Sequence, residues 1–201
     1  MSVALIEQSD WIETEAMGVA GYANGTRWLP RCSAVLDVLF PTAMRYVDTA
    51  ALERGTRLHQ AAQDGLRSGK WNVAALSDAD RPAIEGLHKW IRTWVKRTIA
   101  VEKVLLSDRH GYASRIDCAV QMKSGAVVMP DWKFSESHNF RFEYQAEAHR
   151  HLDFAEPTQV WIVSVDSTGT VRVRKHQENA HQWHRFLAAL TVLKCRMEHG
   201  G

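Results

Sequence analysis

Three side chains near the middle of the sequence are of types that do chemistry together: Asp117, Asp131 and Lys133. Asp131-Trp132-Lys133 sits in a stretch with strand character. Alternation along a strand would point Asp131 and Lys133 to one face and Trp132 to the other. Asp117 closes the preceding stretch Gly111-Tyr112-Ala113-Ser114-Arg115-Ile116-Asp117, and a reversal near Gly125 would return the chain so that both carboxylates meet at one edge. Two carboxylates are hard oxygen donors suited to Mg²⁺ or Mn²⁺, cations that keep several waters and accept phosphate oxygens as further ligands. A lysine beside them can orient or help deprotonate an attacking water and offset charge developing on a phosphate. The spacing alone carries little weight: 23 acids and eight lysines in 201 positions predict about one acid-x-Lys by chance.

The elements that would position these residues are readable from periodicity. Helices are expected at Ser33–Phe40, Ala50–Ser68 and Asp78–Arg97; in the last, Ile84, Leu87, Ile91, Trp94 and Val95 form one apolar stripe. Strands are expected at Val101–Leu106, Tyr112–Gln121 and Ala126–Trp132, with Lys123-Ser124-Gly125 as the last turn. A helix over Phe142–Phe154 follows, then strands at Gln159–Val165 and Thr170–His176 and a helix over Asn179–Glu198. The first thirty residues are mixed in pattern, with Gly18, Gly21 and Gly25 expected at turns. This order predicts an α/β fold, a mixed central sheet flanked by helices. Length predicts one domain over residues 1–201, the first fifty being an N-terminal extension packed on the core.

Between Arg54 and His149 a series of short segments resembles the RecB-like, phage-type exonuclease branch of the PD-(D/E)XK nuclease superfamily. They are Arg54-Gly55-Thr56-Arg57-Leu58-His59, Glu102 at the head of a strand, the Gly-Tyr-Ala-x-Arg-Ile-Asp stretch ending at Asp117, Asp131-Trp132-Lys133-Phe134-Ser135, and Tyr144-Gln145-Ala146-Glu147-Ala148-His149. The resemblance implies a restriction-endonuclease-like fold and a metal-dependent deoxyribonuclease, an exonuclease on linear DNA in replication, repair or recombination. It implies His59, Asp117, Asp131 and the Trp132 carbonyl as metal ligands in a two-metal Mg²⁺ or Mn²⁺ site, Lys133 as catalytic lysine, and Gln145 as holder of the lysine or of the DNA. Glu102 would be an additional acid, although a solvated charge at a strand edge is an equal reading. The alternatives are an inactive DNA-binding or interaction subunit of the same fold, or an endonuclease. Ser114 departs from the glycine common at its place, and His149 from the tyrosine common at its own.

Arg54, Arg57, Arg115 and Arg141, with His149, flank the expected centre and are candidate DNA contacts, whereas Arg172, Arg174 and Lys175 are expected on a solvated sheet face. Cys32, Cys118 and Cys195 are far apart and form no Cys-x-x-Cys, which argues against a disulfide framework, a zinc knuckle or an iron–sulfur cluster. With no leader pattern and no apolar run near 18 residues, the expectation is a cytoplasmic protein, bacterial or of a phage within its host, with no membrane partner. A net charge of +2 is compatible with a nucleic-acid partner and does not require one.

Overall fold

The computed structural model describes residues 10–41, 48–135, 139–155 and 158–199. Its centre is a five-stranded mixed sheet in the order β10-β9-β8-β7-β4, built from β4 (Val95–Val101), β7 (Cys118–Met122), β8 (Val127–Lys133), β9 (Thr158–Val165) and β10 (Val171–Lys175). All neighbours run antiparallel except β8 and β9, whose parallel pairing needs a crossover, supplied by helix α4 (Phe140–Arg150). One face carries α1 (Cys32–Leu39), α4 and α5 (Ala180–His199), packed on Met129, Val160 and Ile162. The other carries α2 (Thr49–Ser68) and α3 (Arg81–Trp94), packed on Val128, Trp132, Val163 and Val165. Adjacent residues of β8 and β9 thus feed opposite cores, the period-two pattern of a sheet buried on both sides. The expected α/β architecture is the one observed.

Several boundaries differ from expectation, each for a local reason. Helix α3 ends at Trp94 instead of Arg97, because Val95 is already extended and opens β4 without a loop. The strand expected at Val101–Leu106 is the end of β4 and the start of β5 (Val104–Ser107), separated at Glu102, whose φ of 52° is left-handed. Tyr112–Gln121 is likewise two strands. β6 (Tyr112–Arg115) pairs with β5 in a separate hairpin, and β7 enters the main sheet after Ile116 and Asp117. The first break is marked in sequence by the adjacent charges Glu102 and Lys103, whereas the second, at Ile116-Asp117, carries no Gly, Pro or Asn to signal a change of sheet.

The N-terminal region is a meander of β1 (Ile12–Ala16), β2 (Val19–Asn24) and β3 (Arg27–Pro30). Gly18 and Gly25 do serve turns with positive φ, but Gly21 lies inside β2, where any Cβ would collide with the Trp28 ring. Tyr22 and Leu29 form a small third core with Val104 and Ala113. Cys32 and Cys118 are buried free thiols and Cys195 is an exposed one. Among the described residues no helix is long and apolar enough to cross a membrane.

Candidate active site

Pairing of β7 with β8 stops after Val120 opposite Val128. Two residues on is Pro130, which has no N–H to offer β7, so the strands are free to part there. Continuing the register three residues past Val120 sets Asp117 opposite Asp131. The next backbone donor on that side, the Trp132 N–H, is left without a strand partner and donates to Asp117 Oδ2 at 2.6 Å. A proline in an otherwise central strand therefore opens the gap into which the first acid reaches.

Asp131 and Lys133 share a face as expected, with Asp131 Oδ2 2.7 Å from Lys133 Nζ. Gln145, from α4, bridges them: its Oε1 accepts from Lys133 at 3.0 Å and its Nε2 donates to Asp131 Oδ1 at 3.3 Å. The Phe142 ring lies 4.8 Å beneath the ammonium, a contact no spacing rule predicted. Trp132 points the opposite way into the core, edge-on to Trp90. Asp131 is only 3% exposed, and its Oδ2, though close to the ammonium, has no well-directed hydrogen bond.

His59 reaches in from α2. Its Nδ1 is 2.9 Å from the Gly55 carbonyl one turn back, and its Nε2 is 3.0 Å from the Trp132 carbonyl and 3.7 Å from Asp117 Oδ2. Glu102 joins from the end of β4, where its N–H donates to the Asp117 carbonyl at 3.0 Å. Burial raises the pKa of Asp117, with the charge of Asp131 adding to it against His59 and Lys133. Burial likewise raises that of Glu102, with Asp117 adding to it. The like-charge contribution shows that Glu102, Asp117 and Asp131 share one electrostatic neighbourhood. Among the described residues, however, no group of three or more His, Cys, Asp or Glu side chains is placed, as they stand, to hold a metal ion.

The candidate DNA contacts stand differently. Arg54 and Arg57 both pair with the buried Asp80 at 3.0 and 3.3 Å, joining α2 to the start of α3. Arg115 pairs with Glu13 of β1 at 2.7 Å, and Arg141 with Asp37 of α1 at 2.8 Å. Each therefore has a protein carboxylate as its partner. His149 is corrected outright as a surface contact: it is 2% exposed, its Nε2 lies 2.9 Å from Ser114 Oγ, and burial pushes its pKa down to about 4. Ser114 and His149 thus form one buried polar pair.

No known family profile and no curated protein matches the sequence. Among solved structures, an alkaline exonuclease from Laribacter hongkongensis is similar at 13% identity and a TM-score of 0.48, over 83% of this chain and 78% of that one. The protein SSO0001 is similar at 16% identity and a TM-score of 0.40, over 82% of this chain and 72% of its own.

Proposed function

We propose that this chain is a divalent-metal-dependent deoxyribonuclease, an exonuclease acting on linear DNA during replication, repair or recombination. The observation that carries the reading is the convergence of Asp117, Asp131, Lys133 and Gln145 with the His59 ring and the Trp132 carbonyl. These residues fit a hard cation. Asp131 Oδ2 is a buried acceptor without a well-directed donor. Both ring nitrogens of His59 face carbonyl oxygens, yet a neutral imidazole has one N–H. With that proton on Nδ1, held by Gly55, the Nε2 lone pair faces the Trp132 carbonyl and Asp117, an arrangement a cation between them would stabilise. The 3.0 and 3.7 Å separations are near the ~3 Å between adjacent ligands of an octahedral Mg²⁺ or Mn²⁺.

Asp117, Asp131, the Trp132 carbonyl and His59 would hold the cation. When bound it lowers the pKa of a coordinated water and polarises the phosphate. Lys133, kept in place by Gln145 and Phe142, orients the attacking water and, as an ammonium, offsets charge on the phosphate oxygens. Glu102 adds negative charge behind Asp117. Digestion of end-labelled linear DNA beside closed circular DNA, with Mg²⁺, Mn²⁺ or chelator, tests the reading. Metal-dependent loss of the linear form alone is expected. Cutting of the circle would make the protein an endonuclease, and no cutting with either metal would overturn the nuclease reading.

A further inference from the structure

At the end of the sheet away from the candidate active site lies a second basic surface. Two segments build it, residues 85–101 and 118–130, which together carry five cations and one acid, Glu85. Lys123 is brought against the end of α3, its N–H donating to the Trp94 carbonyl at 2.8 Å and its Nζ to the Arg92 carbonyl at 2.8 Å. Lys89, Arg92, Lys96, Arg97 and Lys123 are all exposed, and among the described residues none of the five is in an ion pair. In a chain with 25 basic and 23 acidic residues this is segregation, and it is the reverse of the arginines around the site, each of which has its carboxylate.

Fold stability accounts for part of this surface. Lys123 caps the helix end, where a cation is favourable. Arg97 donates across the strands to Gln121 at 3.0 Å, and charges on the edge strand β4 discourage pairing with another chain. Lys89, Arg92 and Lys96 are left with no internal role, and Trp94, between Arg92 and Lys96 in the chain, is 55% exposed. Between α3 and the turn before it a cavity of 350 Å³ is lined by Val73, Glu85, His88, Lys89, Arg92 and Thr93. Cations that follow a phosphate backbone, with an exposed indole on which a base can stack, are the chemistry of sequence-independent nucleic-acid contact.

We infer that the α3–β4 junction, with Lys89, Arg92, Lys96 and Trp94, is a non-catalytic contact surface for the nucleic acid whose cleavage the distant site is proposed to perform. This rests on the nuclease reading and extends it. The seven residues of β8 separate the two places by about 20 Å at ~3.3 Å per residue, and β4 runs along the sheet edge from the junction to Glu102 beside the site. Only a substrate longer than about six nucleotides, at the 3.4 Å repeat of a duplex strand, reaches both. The surface thus serves length preference and retention of long DNA, and leaves the chemistry untouched.

The test compares wild type, the triple variant Lys89→Ala/Arg92→Ala/Lys96→Ala, Trp94→Ala, and a charge-matched control, Arg109→Ala/Lys175→Ala/Arg196→Ala. Each is titrated with a fluorescent 30-nucleotide DNA and a 4-nucleotide DNA, in chelator, over a range of salt. The triple variant should lose about tenfold or more in affinity for the long DNA, with the slope of log affinity against log salt reduced by roughly two to three. Affinity for the short DNA and the behaviour of the control should not change. Asp131→Asn should keep the long-DNA affinity that the triple variant loses. Wild-type affinity and slope in a folded triple variant would overturn the inference and leave the nuclease reading standing. A triple variant changed only in self-association would instead assign the surface to a second copy of the chain. No DNA binding by wild type would overturn the inference and the nuclease reading together.

Discussion

Helix α4 serves two polar networks on its two sides, and they are built on opposite terms. Gln145 faces the candidate site. Glu143 and Glu147 face β10 and the start of α5. Glu147, fully buried, accepts from His176 Nε2 at 2.6 Å, from the Asn179 N–H at 3.0 Å and from His151 Nε2 at 3.3 Å. Glu143 pairs with Arg174 at 2.6 Å and His176 Nδ1 at 3.0 Å. Burial alone would raise both carboxyl pKa values. Hydrogen bonds to Glu143 from Arg174 and His176, and to Glu147 from His176 and Asn179, overcome it and hold them low. Burial would lower His176, and the same bonds to Glu147 and Glu143 raise it. In the site the balance runs the other way: Asp117 and Glu102 are raised, Asp131 Oδ2 lacks a directed donor, and Glu102 sits at a left-handed φ. The first network stabilises the fold with its own charges. The second leaves two acids with raised pKa values beside a single ammonium, an imbalance that the proposed cation would relieve.

Substitutions should separate the two. The largest effect is expected at Asp131→Asn and Lys133→Ala, each reducing kcat/KM for DNA hydrolysis by roughly 10³-fold or more, about 4 kcal/mol of transition-state stabilisation, measured where the variant is still folded. Hydrolysis at the wild-type rate by either variant would remove that residue from the mechanism. Glu147→Ala should do the reverse. It leaves buried His176 with one of its two carboxylate partners and the Asn179 N–H without its acceptor, and should cost about 3–5 kcal/mol in urea unfolding, with activity retained while the protein is folded. A loss below about 1 kcal/mol, a surface-pair value, would end the contrast between the networks.

A smaller effect of opposite sign is expected at Asp117→Asn. Because the folded pKa of Asp117 is raised, ionisation opposes folding above that value, and the neutral amide removes the penalty. The variant should melt higher than wild type at neutral pH while losing activity. Melting below wild type would show that the acid is structural. The smallest effect is the pH profile of stability. Lowered Glu143 and Glu147 contribute fully above the ordinary 4.5 and lose their contribution as pH falls through their folded values; raised His176 contributes fully below 6.5 and is lost as pH rises through its own. The network therefore stabilises most between about pH 4.5 and 6.5, and Glu147→Gln should flatten the fall of the melting temperature on either side of that window. An unchanged profile would mean the network does not titrate with folding.

How much of this was legible beforehand follows from the range of each interaction. Asp131 and Lys133 share a face because strand alternation is local, and Trp132 is buried for the same reason. His59 lies 73 residues from the carbonyl it meets, and only a family resemblance could bring it there. The pairing of Arg54 and Arg57 with Asp80 was hidden, because a buried acid at the start of a helix reads in sequence as an ordinary cap. Glu13 meets Arg115 across 102 positions and leaves no trace in spacing. The N-terminal meander escaped because β1 is almost wholly exposed, so its residues carry no burial pattern. The part of Pro130 was readable in principle: a proline three residues before the lysine of a central strand predicts that one neighbour must leave.

The central claim is that the gap between Asp117 and Asp131 is a cation site. Anomalous diffraction from a crystal soaked in Mn²⁺ tests it most directly. The account predicts a peak about 2.0–2.4 Å from Asp117, Asp131 and the Trp132 carbonyl, with His59 Nε2 turned to it and a second peak allowed about 4 Å away. A crystal that takes up Mn²⁺ elsewhere, or shows none at this gap while Lys133 remains on Asp131, would contradict it.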